Sequence, residues 1–272
     1  MTALIAALVL GTQPAQGMKS TDILAKVLQK YADSNSGVGE ITMTQIAGTK
    51  KISVKTDLQY VRPSKLFIHQ SSTNLPPNDW LVVSDGNNFG YDAPRAGDAP
   101  RKRLFEPVAV AELATGTKKL LKDHAIYMAA KRSLGDTLNP FLEFTTQSAG
   151  DNQSLKGFMS RLIKINPAPT DKDFEGASVY DVSGVMGFGD PVLDQNGQQM
   201  IDKSSGMAMF DGAGRFNLYI TKDFELVGMR TTETVQVNNA ATNLPEQIIV
   251  ITSWSGKVKL NETPADTIFT VK

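Results

Sequence analysis

Chemistry needs particular residue types at spacings that bring them together, and this chain is poor in such sets. Its only histidines are His69 and His124. Neither stands at a metal-ligand spacing or beside an acidic cluster, so structural or surface roles are expected of both. There is no Gly-x-Ser-x-Gly elbow for a nucleophile. "GVMGFG", from Gly184, misplaces the glycines of a dinucleotide-binding turn, and "ATGTKKLL" lacks the upstream glycine and strand of a phosphate loop. "DQNGQQMID", Asp194 to Asp202, lacks the alternating aspartates and distal glutamate of a calcium loop and reads as a solvated turn. Asp85-Gly86 and Asp211-Gly212 are turn dipeptides before they are anything else. Evenly scattered carboxylates single out no acid–base pair. The expectation is a non-enzymatic binding or carrier protein that uses no cofactor and no metal.

Bulk properties narrow the class. Of 272 residues, 41% are hydrophobic and 21% charged, the balance of a globular chain. Lys plus Arg and Asp plus Glu number 28 each, so no net field draws the protein toward nucleic acid. The absence of cysteine excludes disulfides, thiolate nucleophiles and a lipidated N-terminal Cys. "MTALIAALVLGTQPAQG" has an apolar core too short to span a bilayer, followed by the small residues Ala15 and Gly17. Residues 1–17 are read as a signal peptide cleaved before Met18, which predicts an exported, periplasmic, soluble protein; a monomer is expected. No Lys or Arg precedes that core, so a buried N-terminal element, or a leader trimmed at its start, stays open.

The remaining pattern is strands, a helical middle, and strands again. "STDILAKVLQKYADSNSG" opens a helix, with Ser20 or Thr21 as cap, Ile23, Leu24, Val27, Leu28 and Tyr31 on one face, and an end at 35–37. "KISVKTDLQYVRP" alternates cleanly, with Ile52, Val54, Thr56, Leu58 and Tyr60 on one side. With "GEITMTQIAG", "KLFIHQSS" and the hairpin "LVVSDGNNFGYDAP" it predicts a meander of about five strands. From Pro107 the chain turns Ala- and Leu-rich. A short helix is expected after Asn139-Pro140 and an amphipathic helix over 155–163, although "RLIKI" also suits a strand. After residue 170 strands return, with a polar loop at 187–200 and an Asp-Gly turn at 211–212. Two groups of antiparallel strands can build one strongly curved sheet, and the mid-chain helices must bury their apolar stripe against it. That arrangement is either a packed core or a lidded cavity.

Three blocks resemble the periplasmic lipoprotein-carrier superfamily, the LolA/LolB-like proteins. They are "YVRPSKLFI" (60–68), "LVVSDGNNFGYDAP" (81–94) and the closing "ADTIFTVK" (265–272), the last resembling the family's final strand. The resemblance implies an α+β fold: an incomplete, strongly curved antiparallel half-barrel with an N-terminal helix and a helical lid. One domain would cover 18–272, with the lid inserted at about 107–165. It also implies an apolar cavity for acyl chains of lipoproteins or other lipids, loaded and emptied by membrane-bound donor and acceptor proteins. Met43, Val54, Leu58, Tyr60, Leu66, Ile68, Phe89 and Tyr91 fall on the wall it would use, although packed core explains each of the first six equally well. Arg62 falls where the carriers hold an arginine that hydrogen-bonds the lid, which makes it the expected latch. The family's tryptophans near the second block are replaced here by Phe89 and Gly90. The alternative is an envelope regulator or scaffold of the same fold that binds a protein through 71–79 or 187–200.

Overall fold

In the computed structural model, residues 17–62, 65–72, 79–93, 102–109, 141, 161–198, 200–204, 207–238 and 244–270 are described. Helix α1 spans Ser20–Ala32 and buries Ile23, Leu24, Val27 and Tyr31, the stripe that its spacing predicts. Its ends differ from expectation. Neither Ser20 nor Thr21 caps it; Lys19 occupies the cap position without a side-chain bond, and the Ser20 amide donates to the Pro167 carbonyl (3.0 Å). A distant segment has taken over the capping of a free helix amide. The helix stops at Ala32, where Asp33 N–H closes on Gln29 O, and the chain is already in strand at Ser36.

Six strands then run in meander: β1 (Ser36–Ala47), β2 (Lys50–Val61), β3 (Lys65–Ser72), β4 (Asp79–Asp85), β5 (Asn88–Ala93) and β6 (Lys102–Ala109). The Asp85-Gly86 turn joins β4 to β5 as predicted, with the Asp85 carboxylate accepting the amides of Asn87 (2.7 Å) and Asn88 (2.6 Å). Burial pushes that carboxyl up, but these bonds outweigh it and hold it below its ordinary value. The later group comprises β7 (Leu162–Ile165), β8 (Thr170–Phe174), β9 (Ala177–Pro191), β10 (Ile201–Asp202), β11 (Met207–Ala208), β12 (Phe210–Thr221), β13 (Leu226–Asn238) and β14 (Pro245–Leu260). β10 and β11 pair only with each other. The other twelve form one open antiparallel sheet in the order β6-β5-β4-β3-β2-β1-β14-β13-β12-β9-β7, with β8 also on β9.

Four local expectations are corrected. The helix expected to 163 gives way to β7 from Leu162, because β9 offers an open edge that "LIKI" can pair. The loop expected at 187–200 begins only after Pro191, since β9 runs on against β12. Asp211-Gly212 makes no turn; it lies inside β12 and absorbs a register shift opposite β9. The closing segment is no strand but a 3-10 turn, Asp266–Phe269, with Phe269 buried. Of the helical lid expected at about 107–165, both ends are strand instead, 107–109 in β6 and 162–165 in β7. Residues 110–140 and 142–160 lie outside the described residues, as do residues 1–16 of the leader expected at 1–17. Phe141 is helical and fully buried.

The register explains the core. Val182, Leu218, Met229, Trp254, Met43 and Val54 stand in one row across β9, β12, β13, β14, β1 and β2, and all are buried. They join the stripe of α1 and Phe141 in a single cluster. No helix among the described residues is long and apolar enough to cross a membrane.

Candidate functional site

Six of the eight expected wall residues, Met43, Val54, Leu58, Tyr60, Leu66 and Ile68, come together on the inner face and are buried in that cluster. Phe89 and Tyr91 stand opposite Ser84 and Val82 in the β4–β5 pairing. The contacts expected of their side chains lie outside the described residues. The stripe of α1 shares that cluster, a role that sequence reasoning did not give it.

Arg62 sits at the C-terminal end of this helix. Its Nε donates to Ser34 O (2.7 Å) and its Nη2 to Tyr31 O (3.1 Å). Carbonyls in the last turn of a helix have no intrahelical donor, and a guanidinium supplies several at once. The same guanidinium lies 5.5 Å from the ring of Tyr60, whose hydroxyl is 2.7 Å from Ser34 Oγ. Burial pushes the Tyr60 phenol up, and it pushes that of Tyr31 up further. Both therefore stay neutral inside the wall. Any bond from Arg62 to residues 110–140 or 142–160 lies outside the described residues.

A second clamp also holds α1. Lys30 Nζ donates to Asp223 O (2.8 Å) and Glu225 Oε1 (3.0 Å), and Lys257 Nζ lies 3.2 Å from Glu225 Oε2. Burial pushes the Glu225 carboxyl up, yet these two lysines outweigh it and hold it below its ordinary value. Lys26 Nζ adds a contact 4.6 Å above the Phe224 ring.

The inner wall is not uniformly apolar. Gln70 Nε2 donates to Thr56 Oγ1 (2.9 Å), and Gln45 Nε2 to Thr252 Oγ1 (3.1 Å). The indole N–H of Trp254 is buried and has no hydrogen-bond partner among the described residues. Sequence reading passed over Trp254, although Val250, Thr252 and Trp254 at alternate positions of β14 carry the signal of an inner face. Farther from α1 the sheet ends in exposed apolar side chains: Ile46, Val237, Leu244 and Ile249, with Leu193 after β9 and Ile201 in β10.

Elsewhere the candidates resolve into ordinary roles. His69 Nδ1 lies 3.7 Å from Asp57 Oδ2 at the surface, and Asp194 turns its loop by accepting the amides of Asn196 and Gln198. His124 lies outside the described residues. No group of three or more metal-type ligands occurs among the described residues.

No family model and no curated protein matches the sequence. Solved structures are similar along nearly the whole chain. Lipoprotein LppX of Mycobacterium tuberculosis is 13% identical, over 90% of this chain and 97% of that one, with a TM-score of 0.39. LprF of Mycobacterium bovis is 11% identical, over 90% and 94%, with a TM-score of 0.37. A LolA superfamily protein of Nitrosomonas europaea is 12% identical, over 93% and 98%, with a TM-score of 0.29. These loose likenesses include the superfamily that the sequence blocks resemble. The functional reading rests on the sheet, its edges and its helix.

Proposed function

We propose that the chain is an exported carrier that shelters acyl chains of lipoproteins or other lipids between the inner face of its sheet and a cover. The observation that carries this reading is topological. β6 and β7 lie at opposite ends of the sheet order, yet among the described residues they are consecutive strands. Phe141, between β6 and β7 in sequence, is seated in the inner cluster with the stripe of α1, which supports a cover contributed by the chain between those strands.

Curvature supports the same reading. The inner cluster takes members from eight successive strands, β4 to β9 in sheet order. Laid flat, eight strands span about 34 Å at their usual spacing, whereas a helix is only about 10 Å wide. A helix that shares one cluster with both flanks fits a sheet that curls around it, as a half-barrel does. Apolar burial contributes about 25 cal/mol per Å², so one acyl chain under such a cover would be bound usefully. Arg62 then sets how firmly α1 closes its side of the wall, and a membrane-bound acceptor that favours a loosened α1 would draw the ligand out.

Native mass spectrometry after mild purification tests this, together with uptake of a fluorescent fatty acid. Co-purified lipid, or saturable uptake competed by unlabelled fatty acid, is the expected result. Protein that is repeatedly empty and takes up no probe would overturn the reading. A second reading, a scaffold that binds a protein partner, is favoured by the exposed Leu193, Ile201, Leu244 and Ile249. It predicts capture of an envelope protein with no lipid recovered, and loss of that capture on Leu193→Glu.

A further inference from the structure

The face of the sheet turned away from α1 carries a groove of about 340 Å³ that the carrier reading leaves unused. Thr42 and Thr44 alternate with the buried Ile41 and Met43, Ser253 and Ser255 flank the buried Trp254, and Arg230 follows the buried Met229. Side chains alternate across a strand, so these five share the outer face. Register sets them in two rows: Thr44, Ser253 and Arg230, then Thr42, Ser255 and Gly228.

The hairpin of β8 and β9 forms one wall. Phe174 stacks on Tyr219 with ring centroids 4.3 Å apart. It leans over Gly228 so closely that an added Cβ there would lie 2.5 Å from the ring. Glu175 stands at the tip, at φ 51, followed by Gly176 at φ 81. Two-residue hairpin turns of this kind usually place Asn, Asp or Gly first, so a glutamate there is not chosen for the turn.

Charge defines what the groove can take. Lys172 Nζ is 3.7 Å from Asp181 Oδ2, and Asp181 also accepts from Asn217 Nδ2 at 2.8 Å, so that lysine is already balanced. Arg230 and Glu175 both line the groove and have no ion-pair partner among the described residues, each other included. Beside the paired Lys172, the groove therefore offers one unbalanced cation, Arg230, and one unbalanced anion, Glu175. Four hydroxyls beside the guanidinium exceed what two carboxylate oxygens use, and they match the oxygens of a phosphate-type group. Glu175 suits an ammonium group by charge, while the Tyr219 ring already carries the Lys172 ammonium 4.8 Å from its centre.

We propose that this groove binds a small zwitterion of the phosphoethanolamine type, with its oxyanion on Arg230 and the hydroxyl rows and its ammonium on Glu175. The site stands whether or not the inner wall takes a lipid, because the sheet separates the two. Calorimetric titration with glycerophosphoethanolamine tests it, against glycerol 3-phosphate and ethanolamine as the separate halves. The zwitterion is expected to saturate the protein and to bind roughly tenfold or more tightly than either half. Arg230→Gln should weaken it at least about tenfold, and Glu175→Gln should reduce it to the level of glycerol 3-phosphate. Both side chains are exposed, so circular dichroism of the variants should match the parent. No saturable heat, equal binding of glycerol 3-phosphate, or an unchanged Arg230→Gln variant would each overturn the proposal. Co-sedimentation with phosphatidylethanolamine vesicles, against phosphatidylglycerol vesicles, identifies the source once binding is seen. Retention on the former marks a lipid headgroup, and binding of the free compound alone marks a solute.

Discussion

The two ends of the sheet are built on different terms. Around α1 the inner face is closed by Leu58, Tyr60, Val258 and the helix stripe, and two clamps, at Arg62 and at Glu225, fix the last turn of the helix. At the far end Ile46, Val237 and Ile249 lie exposed, and the inner face there carries Glu233. Even the carboxyls differ: lysines hold Glu225 below its ordinary value, whereas burial holds Glu233 above it, against the pull of Arg161. Among the described residues, the buried apolar side chains gather where the helix sits.

The largest test of this contrast is a truncation in the shared row. Trp254→Ala should cost about 3–5 kcal/mol of unfolding free energy, read from denaturant melts. A cost near zero would show that the row is not part of the cooperative core. Next comes Arg62→Ala, which leaves the carbonyls of Tyr31 and Ser34 without that donor and should cost about 2 kcal/mol. Amide exchange should quicken in the last turn of α1 while β12 stays protected, and uniform quickening would refute a local clamp.

The carboxyls give a smaller, signed effect. Glu225 is more acidic folded than unfolded, so its stabilisation is fully present above the unfolded-state value and drains away as pH falls through the folded one. Glu233 is less acidic folded, so its penalty appears as pH rises from the unfolded-state value through the folded one. Glu225→Gln should therefore flatten the acid limb of the stability profile, and Glu233→Gln should stabilise the protein at neutral pH. Shifts of the same sign would break the contrast. Smallest of all, Ile249→Ala should change stability by less than about 0.5 kcal/mol, and a larger loss in thermal melts would mean the far end is core after all.

Legibility followed the local physics. Alternation in β2 placed Val54, Leu58 and Tyr60 correctly, because one face of that strand is dry and the other wet. The stripe of α1 was equally plain. β8 was invisible, since "TDKDF" is largely exposed and shows no alternation. Asp211-Gly212 misled because a dipeptide that favours a turn also tolerates a bulge when a paired neighbour lies alongside. Arg62 could be singled out in sequence, but the carbonyls it serves belong to a helix some thirty positions earlier, which only the folded chain discloses. The groove of Arg230 and Glu175 draws on β1, β8, β12, β13 and β14, and no window of sequence contains it.

The sheet joins its two halves through β1 and β14, the first long strand and the last. During synthesis, a nascent chain that has not yet delivered residues 245–260 must wait with β1 and β13 as bare edges, each a template for wrong partners. A protein assembled in this way gains from a chaperone that keeps its early strands apart until the final one emerges.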